Sequence, residues 1–154
     1  MVRQPTRFSC LSTCLAFLCD LDQNEYFDRI GHNCSEKPAS EESAFVWINL
    51  HGFTIRSYTS IDKHNEHLIT QALTELETPA VLRVNKNSEH DHAVIVYPTP
   101  VGLKVIDPVD SGTYYLHEFK YPISGLYLVG EEETDANDET NKTLHSQLNR
   151  LCQV

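Results

Sequence analysis

The chain is short of positive charge, lacks any long apolar run and has no paired cysteines, and each shortage closes off a class of function. It carries 12 Lys and Arg against 22 Asp and Glu, a formal net charge of −10. Gripping a phosphate backbone takes clustered basic side chains, so nucleic acid is not an expected partner. A membrane-spanning helix needs about 20 consecutive apolar residues, and no run comes near that. The first residues have no basic segment followed by an apolar stretch and a small-residue cleavage site. The expected location is therefore cytoplasmic, with export by a system that reads no cleaved signal as the other route. The five cysteines, Cys10, Cys14, Cys19, Cys34 and Cys152, are odd in number and irregular in spacing. That argues against a disulfide framework and for reduced thiols.

What is present is ordinary globular composition, 40% hydrophobic and 22% charged over 154 residues, enough for one domain with its own core. Leu11, Cys14, Leu15 and Leu18 recur at helical spacing and predict a helix over Cys10 to Cys19, with Ser9 at its N-cap. A second helix is expected from Gln23 to Ile30, stopping at Gly31. A third begins after Ser40, with Glu41 and Glu42 where the dipole favours acids, and ends at Gly52. A fourth runs from Asn65 to Leu76, and Pro79 prevents its continuation. The period then changes. Ala80 to Val84, Ala93 to Tyr97, Leu103 to Ile106, Thr113 to Leu116 and Leu126 to Val129 read as short strands, as does the earlier Phe53 to Tyr58. Helices first and antiparallel strands after define the α+β class, with the helices expected on one side of the sheet. Residues 1–130 form the expected domain. Residues 131–154 read as an acidic, flexible tail over Glu131 to Thr140, with a short terminal helix from Thr143 to Leu151.

Four residues carry the chemistry. Cys10 falls in the first turn of a predicted helix, where the positive end of the dipole favours a thiolate. Gln4, six positions earlier, could set its carboxamide beside the Cys10 N–H as a second oxyanion donor. His92 opens the strand Ala93-Val94-Ile95-Val96-Tyr97, and Asp107 closes the next one, just before Pro108. If those strands pair as a hairpin through Thr99 to Gly102, His92 and Asp107 meet at one end of it. There Asp107 would orient the ring that takes the Cys10 proton.

This ordered set resembles the papain-like peptidase family that trims double-glycine leader peptides from bacteriocin precursors. Those domains carry a glutamine, five intervening residues, a catalytic cysteine at a helix start, a histidine opening a strand and an Asp-Pro after the following strand. Gln4, Cys10, His92 and Asp107-Pro108 match position by position, over roughly Gln4 to Val129. The resemblance implies a papain-like fold, a cysteine peptidase with a Cys-His-Asp triad and thioester intermediate, no cofactor, and a protein or peptide substrate. Where the family has Cys-Gly-x-Ala, this chain has Cys10-Leu11-Ser12-Thr13. The leader-trimming enzymes are fused to a transporter, whereas a stand-alone domain is expected here.

Other readings stay beside this one. The same triad could deamidate a glutamine side chain or transfer an acyl group, or the fold could serve as an inactive peptide-binding module. A zinc site would draw on His64 and His67, His90 and His92, or His32 with Cys34, but no Cys-x-x-Cys pair accompanies them and no recognised structural zinc spacing is matched.

Overall fold

The computed structural model describes residues 2–59, 63–85, 91–131 and 137–152. Helix α1 (Cys10–Cys19), α2 (Gln23–Ile30) and α3 (Glu41–Leu50) come first. Strand β1 (Phe53–Thr59) and helix α4 (Lys63–Thr74) follow. Then come β2 (Ala80–Asn85), β3 (Asp91–Thr99), β4 (Gly102–Ile106) and β5 (Thr113–Tyr115). A 3₁₀ turn over Leu116–Glu118 leads to β6 (Ile123–Glu131), and α5 (Asn137–Cys152) closes the order.

The helix boundaries have local causes. The Asp22 carboxylate caps α2 through the Asn24 N–H at 2.9 Å, and the Ser40 hydroxyl caps α3 through the Ser43 N–H at 3.2 Å. Each cap satisfies a donor that the first turn leaves without an intrahelical partner. Gly52 follows α3 at φ +86°, a left-handed conformation that costs glycine nothing and turns the chain into β1.

All pairings in the six-stranded sheet are antiparallel, in the order β1-β6-β2-β3-β4-β5. Alternation along the strands divides the core in two. Val81, Ala93, Ile95, Tyr97, Ile106 and Tyr127 face a cluster built with Leu15 and Leu18 of α1 and Trp47 and Ile48 of α3. Leu82, Val84, Val94, Val96, Val105 and Leu126 face the other way, onto Ile69 and Leu73 of α4 and onto Phe119. Helices therefore cover both faces of the sheet, not one as the sequence suggested. The unbroken apolar stretches Ala80 to Leu82 and Ala93 to Tyr97 carry the reason, since strands buried on both faces lose the polar half of their alternation.

Helix α5 begins at Asn137, earlier than the Thr143 expected. Leu144 and Leu151 are buried in the cluster shared with α1, and Gln147 Nε2 donates to the Phe17 carbonyl at 2.6 Å. Of the stretch read as a flexible acidic linker, residues 132–136 lie outside the described residues.

Candidate active site

The start of α1 is held by contacts that leave its first turn open. Ser9 occupies the N-cap position but does not cap the helix through its side chain. Its hydroxyl turns back, accepting the Thr6 N–H at 3.2 Å and donating to the Thr6 carbonyl at 3.0 Å. No acid lies in the first turn to absorb the dipole. Cys10, half-buried, is the first residue of the helix. Ser12 and Thr13, both buried, would be costly in a core helix unless paired. Gln23 of α2 pairs them, donating from Nε2 to Ser12 Oγ at 2.6 Å and to Thr13 Oγ1 at 2.9 Å. That brace answers to the polar Ser12-Thr13 pair, and sequence reasoning missed it.

The hairpin expected from the Thr99 to Gly102 connection forms, with Thr99 opposite Gly102 and Ile95 opposite Ile106. It brings His92 and Asp107 together, and His92 Nε2 lies 2.6 Å from Asp107 Oδ1. Asp107 is 3% exposed, and its Oδ1 also accepts the Val109 N–H at 3.0 Å. The same ring lies beside the Cys10 thiol, and each group shifts the ionisation of the other.

Electrostatics follow from these contacts. Burial works against charge on Cys10, but hydrogen bonds from His92 and the Ala93 N–H, the His92 charge and the Leu11 N–H together hold the thiol below its ordinary value. Burial likewise works against charge on His92, yet Asp107 and Cys10 push it up to about 9. The two shifts run toward each other, the thiol downward and the imidazole upward, which is the direction of a thiolate–imidazolium pair. The Ala93 donor has no side-chain signature, so only the strand position of its neighbour His92 hinted at it.

Gln4 lies beside this group in a different state from the one expected. Its backbone N–H donates to the Pro108 carbonyl at 2.6 Å, tying the N-terminal segment to the Asp107 turn. Its carboxamide donates to the Thr6 carbonyl at 2.9 Å and the Arg7 carbonyl at 3.0 Å, so both N–H groups are engaged. Its Oε1 is buried without a partner among the described residues.

A second group, also unforeseen, braces the strand that carries His92. Arg83 of β2 pairs with Glu41 at the start of α3, with Asp91 at 3.3 Å and with the Tyr127 hydroxyl at 2.8 Å. Asp91 directly precedes His92, so the guanidinium fixes the mouth of β3 against α3. Among the described residues no three His, Cys, Asp or Glu side chains gather in a way that could hold a metal ion. His32 Nδ1 instead accepts the Cys34 N–H at 3.2 Å, and His90 lies outside the described residues. No helix among the described residues is long and apolar enough to cross a membrane.

No protein-family model matches the chain, and no curated protein matches it by sequence. Among solved structures it is similar to a double glycine motif protease from an AMS/PCAT transporter, crystallised in complex with the leader peptide. Identity is 12%, the TM-score is 0.59, and the match covers 86% of this chain and 91% of that one. At that identity the likeness establishes the fold alone: α+β, with helices packed on an antiparallel sheet, shared with that protease structure.

Proposed function

We propose that the chain is a cysteine peptidase acting on a protein or peptide through Cys10, His92 and Asp107. The observation that carries the proposal is the half-buried Cys10 thiol at an open helix start, beside an imidazole that Asp107 grips at 2.6 Å. In this mechanism the Cys10 thiolate attacks the scissile carbonyl carbon. The oxyanion takes the Cys10 N–H and one N–H of Gln4, which must first leave the Arg7 carbonyl, the more exposed of its two acceptors. His92 gives its proton to the leaving amine, and the C–N bond breaks to leave a thioester. Water, deprotonated by His92, then cleaves the thioester and restores the thiolate. Asp107 keeps the ring aligned and stabilises its charge throughout.

The leader peptide bound to the structural neighbour supports a peptide as the substrate class. The decisive test is the pH dependence of alkylation at each cysteine, followed by mass spectrometry in the wild type and in His92→Ala. Cys10 should be modified fastest below pH 7 and slow markedly without His92. Reaction of Cys10 no faster than an ordinary thiol, with an apparent pKa near about 8.5, would sink the proposal.

A further inference from the structure

Beyond the Asp107 turn, on the face of the sheet covered by α4, the chain forms an open cleft with a volume of about 480 Å³. Three aromatic rings in sequence line it. Tyr114 and Phe119 have centroids 5.7 Å apart, and Phe119 and Tyr121 have centroids 5.0 Å apart. Phe119 is buried against the core beneath the sheet, whereas Tyr114 and Tyr121 are 40% and 41% exposed. Among the described residues Asp110, Glu118 and Lys120 complete the lining with the buried Asp107, whose Oδ1 is taken by His92 and the Val109 N–H, while Glu118 lies 3.7 Å from His117 Nε2. Gly112 permits this closeness, because a Cβ there would lie 2.7 Å from the Tyr114 hydroxyl and 2.8 Å from Asp110 Oδ1.

The chemistry of these walls selects an occupant. An anion would meet the carboxylates of Asp110 and Glu118. A neutral apolar group would strip water from them without compensation. A cation is drawn to aromatic faces and to carboxylates at once. A planar guanidinium stacks on tyrosine and pairs with a carboxylate in a fork, which an ammonium cannot do. The net charge of −10 adds long-range attraction for a basic ligand.

We propose that this cavity is a recognition pocket for an arginine side chain of the peptide substrate. The word substrate rests on the peptidase reading above; the binding of arginine does not. Asp107 is shared by the two sites, bonding His92 and walling the cavity. Cys10 packs with the cluster on the opposite face of the sheet. The pocket therefore holds a residue removed from the scissile bond, and a bound peptide passes over the end of the sheet.

The test is an NMR titration of the intact chain with Nα-acetyl-arginine amide and with its neutral isostere Nα-acetyl-citrulline amide, followed at the tyrosine rings. Arginine amide should shift Tyr114 and Tyr121 saturably, with citrulline amide at least tenfold weaker. Asp110→Asn with Glu118→Gln should weaken arginine amide several-fold and leave the rate of Cys10 alkylation unchanged. The Asn retains an oxygen for the Gly112 N–H that Asp110 now accepts at 2.7 Å, which protects the turn. Equal binding of both amides, or shifts confined to other rings, overturns the pocket. The Cys10→Ala protein should bind arginine amide as the wild type does. Binding that survives a failed alkylation test would remove the peptidase reading alone.

Discussion

Cys10 and Cys14 stand one turn apart on α1, and the protein treats them in opposite ways. Both are withdrawn from water, and burial opposes a charge on each. At Cys14, fully buried, nothing offsets that burial, and the neighbouring charges of Cys10 and Asp107 add to it, so its thiol is pushed well above its ordinary value. At Cys10 the same opposition is overcome by His92 and by the backbone N–H groups of Ala93 and Leu11. Cys19, at the far end of the helix, follows Cys14. The ionisation of a thiol is thus set not by exposure alone but by donors placed where burial would otherwise oppose it.

Four substitutions break or sharpen that contrast. The largest effect belongs to Cys10→Ala, which should lower peptidase turnover on the order of 10³-fold or more, since members of a catalytic unit fail together. It is read as cleavage of a peptide library by mass spectrometry, and retained turnover would reassign the chemistry. Next, Gln4→Ala should cost on the order of 10²–10³ in kcat, the usual effect of removing one oxyanion donor. If kcat is unchanged, the carboxamide stays on its two carbonyls and serves only the fold of the loop.

Asp107→Asn should move the alkaline limb of kcat/KM to lower pH. His92 is raised to about 9 in the native chain. Activity that requires its proton is therefore present below that value and lost as pH rises through it, and withdrawing the carboxylate charge lowers the limb. The same sign governs stability. The contribution of the His92 contacts is fully present below the unfolded value near about 6.5 and is lost as pH rises through about 9. Urea denaturation between those values should show that decline in the wild type and a smaller one in Asp107→Asn.

The smallest effect on chemistry, and the other half of the contrast, belongs to Cys14→Ser. It places an unpartnered hydroxyl at a fully buried site and should cost about 1–3 kcal/mol of stability. Cys10 alkylation at pH 6.5 should stay within about twofold of wild type. A parallel loss at Cys10 would show that the two positions are one mechanical unit.

How much of this was legible beforehand divides along the same line. The body of α1 is written in Leu11, Cys14, Leu15 and Leu18, and its bounds emerged as expected. The His92–Asp107 meeting followed from two strands joined through Thr99 to Gly102, because a hairpin fixes which residues share an end. Which face α4 would cover was not legible, since an apolar stripe specifies burial and not the partner. The early start of α5 was hidden by its polar, acidic first turns. Nor could the sequence disclose that the Gln4 carboxamide is held by Thr6 and Arg7, or that the Ala93 N–H reaches the sulfur. Backbone groups are the same at every position, and only the assembled geometry gives one of them a task.

The strap before α1 carries a further consequence, for the order in which the protein comes to life. Ser111 Oγ donates to the Val2 carbonyl across a sequence separation of 109 residues, and the Gln4 N–H meets the Pro108 carbonyl nearby. Contacts between such distant segments are the slowest to form, because most of the chain must be gathered before they reward its ordering. Cys10 meets His92 and Asp107 only when that gathering is complete. Before those contacts close the thiol lacks the neighbours that lower its ionisation, and it acquires them as the long-range contacts form.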